Sequence, residues 1–169
     1  MKTNELPKTD FTDNKTECCP RFYPESWDEQ EFVFDNKLFL KATTINFFHR
    51  PINMSSVMNK TWQKIEEAGA ESDEELALLS YYASPWKGEH YFTITDEVPG
   101  EENIRLSGTF LTKVFEGPYK EVRNWVGEME NYAKTRNKEI DKLYFYYTTC
   151  PKCAEYYGAN YVVGFAKVK

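Results

Sequence analysis

Four cysteines are the side chains of this 169-residue sequence best suited to specific chemistry. They fall into an adjacent pair, Cys18-Cys19, and a C-x-x-C, Cys150-Pro151-Lys152-Cys153. Three chemistries fit them. Four thiolates can hold a structural zinc ion, and a C-x-x-C supplies half of such a site well. The adjacent pair is a poor second half, because neighbouring side chains of an extended chain diverge. A strand, a C-x-x-C and a helical turn also resemble the setting of a thiol redox centre, where a helix N-terminus stabilises the attacking thiolate. Gly158 stops that turn early, and too little chain follows for the rest of a thioredoxin-like fold. The plain reading, which the pattern favours, is reduced thiols that tighten a loop. No cofactor is expected on that reading, and zinc at Cys18, Cys19, Cys150 and Cys153 is the alternative.

Acid–base candidates are few. The two histidines, His49 and His90, have no Ser or Cys beside them in a triad-like motif and read as structural. Glu116 ends a strand and points into the Gly117-Pro118 turn. Beside an apolar cleft its carboxyl would be desolvated and could act as acid, base or partner of a cation. On the surface it would simply face a positive helix N-terminus. Rings are abundant, with 12 Tyr, 12 Phe and 4 Trp. Tyrosine hydroxyls need partners, so a wet aromatic cavity suits them as well as a core does. Candidate cleft walls are Trp86, Tyr91, Phe110, Tyr119, Trp125, Tyr144 and Tyr146.

The elements that must position these residues follow from hydrophobic period. Residues 1–30 read as a flexible polar tail and an irregular lead-in that Phe22, Tyr23 and Trp27 could anchor. Residues 31–169 read as one domain. Glu31–Phe34 is a short strand, Asp35-Asn36 a turn, and Lys37–Phe48 a second strand ended by Pro51. Asn53 or Ser55 can cap a helix with Val57, Thr61, Ile65 and Ala68 on one face, stopped by Gly69. Leu76–Ser84 and Glu89–Thr95 are strands. Ile104–Glu116 is a long strand, Pro118 suits the first position of a helix, and Val122, Val126, Met129 and Ala133 form that helix's buried stripe. Leu143–Tyr147 and Tyr161–Val168 close the chain. If Leu143 and Phe145 pack on the helices, Tyr144 and Tyr146 face a cleft. The order is strand, helix, strand, strand, twice over, in modules of about 31–98 and 103–169. The expected class is α+β: one antiparallel sheet, two helices on one side, and a central cleft where small ligands sit.

Net charge is −6, which disfavours nucleic acid as a partner. No apolar run is long enough to span a membrane, and no h-region follows Met1, so a cytoplasmic home without membrane partners is expected. Nothing in the residues speaks to oligomeric state.

Phe115-Glu116-Gly117-Pro118-Tyr119, at a strand-to-helix turn of a duplicated module, resembles the GyrI-like small-molecule-binding superfamily. LSGTFLTKVFEGPY with YFYYTTCPKCAEYYGANYVV is similar to a bacterial subgroup of it. That superfamily includes multidrug-binding domains of transcription regulators and is related to SOUL haem-binding proteins. The resemblance covers about residues 31–168. It implies a cleft between the modules, lined by aromatics, that takes hydrophobic or cationic aromatic molecules. Some members are hydrolases that open strained cyclopropane-containing toxins with a cleft Glu. Many carry that Glu two residues before a tyrosine on the strand before the final hairpin. Here Phe145 stands in that place, ahead of Tyr147, so Glu116 or another carboxylate would have to substitute. The expected function is a stand-alone binder of such ligands, with a hydrolase as the alternative and a zinc- or thiol-dependent protein as a further one.

Overall fold

The computed structural model describes residues 3–169. Its frame is seven strands and three helices: β1 Glu31–Phe47, β2 Arg50–Pro51, α1 Met54–Glu67, β3 Leu78–Ser84, β4 Lys87–Thr93, β5 Glu102–Glu116, α2 Val122–Thr135, β6 Ile140–Tyr147, α3 Pro151–Tyr157 and β7 Tyr161–Val168. The α+β class and the antiparallel sheet agree with the sequence. The sheet runs β2-β1-β4-β3-β6-β7-β5, and β1 also pairs with β5, so six strands close into a barrel. The two modules meet at two seams, β3 with β6 and β1 with β5.

Several local details differ from expectation for identifiable reasons. Asp35-Asn36 does not end a strand. It forms a bulge inside a continuous β1, with Asn36 at φ 54°. The ladder to β5 resumes at Lys37 opposite Leu106, so pairing partners on both sides keep the strand whole. Pro118 does not open α2. It precedes a 3-10 turn, Tyr119–Glu121, and the helix begins at Val122. The Asn53 side chain does not cap α1; its Oδ1 accepts the Ile45 N–H at 2.9 Å and ties the helix start to β1.

Strand alternation sorts the side chains into two layers. Inside the barrel, Phe34, Phe39, Tyr91, Phe110, Tyr144 and Phe165 share one aromatic core. Outside, α1 lays Ile65, Met58 and Trp62 on Leu40 and Phe92. Also outside, α2 lays Trp125 and Met129 on Phe115, Phe145 and Val162. Residues 3–30 pack onto this body. Leu6, Phe22 and Trp27 join the barrel core, and Thr3 bridges to Val33. No helix among the described residues is long and apolar enough to cross a membrane.

Candidate functional site

The outer face of the sheet between α1 and α2, over the β3–β6 seam, presents a set of polar aromatic groups. Ser80 and Tyr82 project from β3, and Phe145 and Tyr147 from β6. The turn after β5 brings in Tyr119. Gly117, at φ 146°, makes that turn. It is pinned by its own N–H to the Asn160 carbonyl at 3.1 Å and by Asn160 Nδ2 to its carbonyl at 2.7 Å. The Tyr119 hydroxyl donates to that of Tyr82 at 3.4 Å, and the Tyr119 ring lies 5.5 Å from that of Tyr147. Tyr147 Oη is buried beside both hydroxyls without a well-formed hydrogen bond of its own. Burial pushes the Tyr82 and Tyr147 phenols well above their ordinary range, so both stay protonated donors. Tyr119 remains 48% exposed, so the group opens to solvent.

A buried polar chain underlies the neighbouring strands. His90 Nδ1 meets Ser80 Oγ at 2.8 Å, His90 Nε2 meets Thr44 Oγ1 at 2.9 Å, and Thr44 donates to Asn46 Oδ1 at 2.9 Å. All four residues are buried, and Asn46 Nδ2 has no partner. Desolvation lowers the imidazole pKa to about 4, so His90 is neutral near pH 7. At the same end of β3 and β4, the tip of the β1–β2 hairpin and the β3–β4 turn carry an aromatic lip. Phe47, Phe48 and Trp86 are each more than half exposed, with Phe48 and Trp86 rings 5.2 Å apart.

Of the predicted cleft walls, this face gathers Tyr119 directly and has Trp86 at its lip. Tyr82, Tyr147 and His90 join them; the first two could have been found as the outward partners of Ser80 and Phe145 once the seam is known. Leu143 and Phe145 do pack against α2, as the alternation suggests. The opposite face of β6 is not a cleft. Barrel closure makes it core, so Tyr144, Tyr146, Tyr91 and Phe110 lie inside. Trp125 is a core residue of α2, stacked on Phe115 at 5.4 Å. Glu116 is exposed, on a hollow of about 270 Å³ that it shares with Glu25 and Asp28.

One barrel end already holds a cation. The Lys142 ammonium lies over the rings of Tyr81, Tyr144 and Tyr91 at 4.1, 5.2 and 5.7 Å. The Tyr91 hydroxyl donates to Glu89 at 2.7 Å, and Lys41 pairs with Glu89 at 3.2 Å. These tyrosine faces serve the chain's own lysine, whereas Tyr119, beside the β3–β6 seam, is open to solvent.

The cysteines converge as well. All four are free thiols, and their sulfurs lie within 4.8 Å of one another. Burial raises the Cys150 thiol, yet the Cys153 backbone N–H and the neighbouring thiols outweigh it and hold it at about 7.

The sequence model of the bacterial hydrolase family matches residues 9–168. The chain belongs to that family. No curated protein matches it. Among solved structures, it is similar to a hydrolase from Listeria innocua, with a TM-score of 0.61 at 10% identity over 88% of this chain and 94% of that one. It is also similar to an uncharacterized conserved protein from Listeria innocua, with a TM-score of 0.60 at 12% identity over 84% and 92%. A third similar structure is SAV2435 bound to tetraphenylphosphonium, with a TM-score of 0.52 at 13% identity over 84% and 94%. At such identities the likeness is one of fold. Over its β3–β6 seam this chain presents a tyrosine cluster with neutral phenolic donors. Phe145 is 4% exposed and packs beneath α2.

Proposed function

We propose that this chain binds hydrophobic aromatic small molecules, cations among them, in the groove over the β3–β6 seam. The observation that carries the reading is the convergence of Tyr82, Tyr119 and Tyr147 between the two helices with Tyr119 open to solvent. Tyrosine faces stack on planar ligands and attract positive charge, and their hydroxyls orient a polar group at the ligand's edge. The lip of Phe47, Phe48 and Trp86 extends the apolar surface. The GyrI-like resemblance of the FEGPY turn implies the same ligand class, and tetraphenylphosphonium, seen in one structural neighbour, is a hydrophobic cation.

Titration with tetraphenylphosphonium and a panel of planar aromatic dyes, followed by melting temperature and intrinsic fluorescence, tests this. A ligand should raise the melting temperature by mass action. Tyr119→Ala should weaken its binding roughly tenfold, the loss of about 1.4 kcal/mol of stacking. A panel that moves neither signal sinks the proposal, as does a Tyr119→Ala/Tyr82→Ala protein that binds as the wild type does.

A hydrolase is the second reading, supported by the family, by the Listeria hydrolase among its structural neighbours and by the clustered phenol donors of Tyr82, Tyr119 and Tyr147. With Phe145 at the acid's place, the chain would act on the electrophile rather than on water. Tyr82 and Tyr147 would hydrogen-bond the carbonyl of a strained cyclopropane-containing substrate. Water adds to the ring carbon, the strained C–C bond breaks, and its electron pair passes into the conjugated carbonyl, whose oxygen gains the proton that water loses. Donors aimed at a developing oxyanion typically contribute roughly 100-fold each, so Tyr147→Phe should lower kcat by about that factor. Turnover that survives Tyr147→Phe but is lost in Glu116→Gln would return the role to Glu116.

A further inference from the structure

The four thiols are not explained by small-molecule binding in a groove on the helix-bearing face. We propose that Cys18, Cys19, Cys150 and Cys153 hold one zinc ion, and that this ion clamps the N-terminal arm to the body of the barrel.

The spacing fits a tetrahedral site. Zinc–sulfur bonds of about 2.3 Å place sulfurs at about 3.8 Å along each edge. Here Cys150 and Cys153 sulfurs are 3.3 Å apart, Cys18 and Cys19 sulfurs 3.6 Å apart, and the set spans no more than 4.8 Å. All four are free. The donors come from two distant segments that fold toward one another, an arrangement loop-tightening thiols do not need. Four sulfur donors without oxygen or nitrogen suit a soft divalent ion and not magnesium or calcium.

The backbone shows how an adjacent pair can serve. Cys18 and Cys19 do not sit in extended chain. Thr16 Oγ1 accepts the N–H of Cys18 at 3.3 Å and of Cys19 at 3.2 Å, and Glu17 stands at φ 60°. That bend turns both thiols to one side. On the other segment, Pro151 opens α3, Cys150 precedes it and Cys153 lies one turn in, which puts their sulfurs on one face. The surroundings hold these pieces in place. Tyr157 of α3 donates its hydroxyl to the Cys19 carbonyl at 2.7 Å. Arg21 lies over the Tyr157 ring at 4.6 Å and pairs with Asp13 at 3.2 Å. Outer contacts of this kind orient metal ligands.

Four protein ligands leave no open position, so the ion is structural and takes no part in turnover. Its effect falls on the arm. The segment tied at Cys18-Cys19 lies between Leu6 on one side and Phe22 and Trp27 on the other, all packed in the barrel core. The ion fixes the middle of that arm to α3.

Elemental analysis of the full chain, grown with zinc and purified without chelator, should find about one equivalent of zinc. Cobalt(II) loaded in its place should give the intense visible bands of a tetrahedral tetrathiolate complex. Cys18→Ser/Cys19→Ser, altered only in the arm, should lose the metal and become sensitive to limited proteolysis within residues 3–30, while its far-ultraviolet circular dichroism stays that of a folded barrel. Less than about a tenth of an equivalent, with no cobalt bands and four titratable thiols, overturns the site. Stoichiometric iron overturns its assignment to zinc. Metal retained in the double variant overturns the ligand set, and metal lost without new cleavage overturns the clamp.

Discussion

His90 shows how one buried side chain links this fold to pH. Its ring is fully buried between Ser80 and Thr44, and desolvation lowers its pKa from 6.5 to about 4. The unfolded chain takes up a proton below about pH 6.5, whereas the folded chain resists until about pH 4. Stability should therefore be fully present above pH 6.5 and fall as pH drops through that window, by on the order of 2–3 kcal/mol from this residue. Urea midpoints at pH 7.5 and pH 4.5 measure the drop. His90→Gln should be less stable at pH 7.5, because it strains the hydroxyl pairing, yet should flatten the slope; a slope unchanged in that variant would remove His90 as its source. At this scale the sequence was partly legible. The FEGPY turn marks Tyr119 because glycine and proline fix a turn wherever they stand. The other tyrosines depend on which face of β6 is inside, and alternation alone defines two faces without saying which one is covered. Phe145 was readable as a ring turned toward the helices, and it packs under α2.

Among the elements, the β1–β2 hairpin carries the most strain. Phe47 pairs with Arg50, so Phe48 and His49 form a two-residue loop, and both have positive φ, 47° and 69°. Such loops favour Asn and Gly, and bulky residues at positive φ are held there at a cost. The hairpin is nevertheless well tied: His49 N–H reaches the Pro85 carbonyl at 2.9 Å, and Asn46 N–H reaches the Trp86 carbonyl at 2.8 Å. The strained loop keeps Phe47 and Phe48 beside Trp86. His49→Gly removes a Cβ penalty without touching the rings and should stabilise the protein by roughly 0.5–1 kcal/mol. Chemical denaturation checks this, and a loss of stability would show that His49 makes a contact worth more than the strain. Helices and strands of strong period, α1, α2 and β5, were legible from their stripes. The errors fell where tertiary partners overrule local signals. Asp35-Asn36 reads as a turn until β5 runs past it, and Asn53 reads as a cap until its amide oxygen is taken by Ile45.

At the level of the whole molecule, the sheet of each module is completed only by the other. The first strand of the first module, β1, lies against β5 from Glu31 opposite Leu111 to Lys41 opposite Glu102, and β3 lies against β6. A chain divided at Gly100 should therefore give two fragments that do not fold alone and regain cooperative unfolding only when mixed. Cooperative melting of either fragment by itself would show that closure is not required. The duplication was visible in the sequence as a repeated order of elements. The closure was not, because period-2 alternation is the same in an open sheet and in a barrel. The meeting of the two cysteine pairs was equally hidden, since it depends on how the arm folds back. Closure has a further consequence. A sheet rolled on itself keeps little free edge: the ladders of its six main strands run long except at the β3–β6 seam, where Leu79 pairs with Tyr146 and Ser80 with Phe145. Strand addition by another polypeptide, the usual route by which β-rich chains aggregate in crowded solution, is thereby confined to the short stretches where a ladder has run out. What most of the barrel leaves for other molecules to grip is side chains, among them the exposed rings of Phe47, Phe48 and Trp86 at the hairpin tip and of Tyr119 beside the seam.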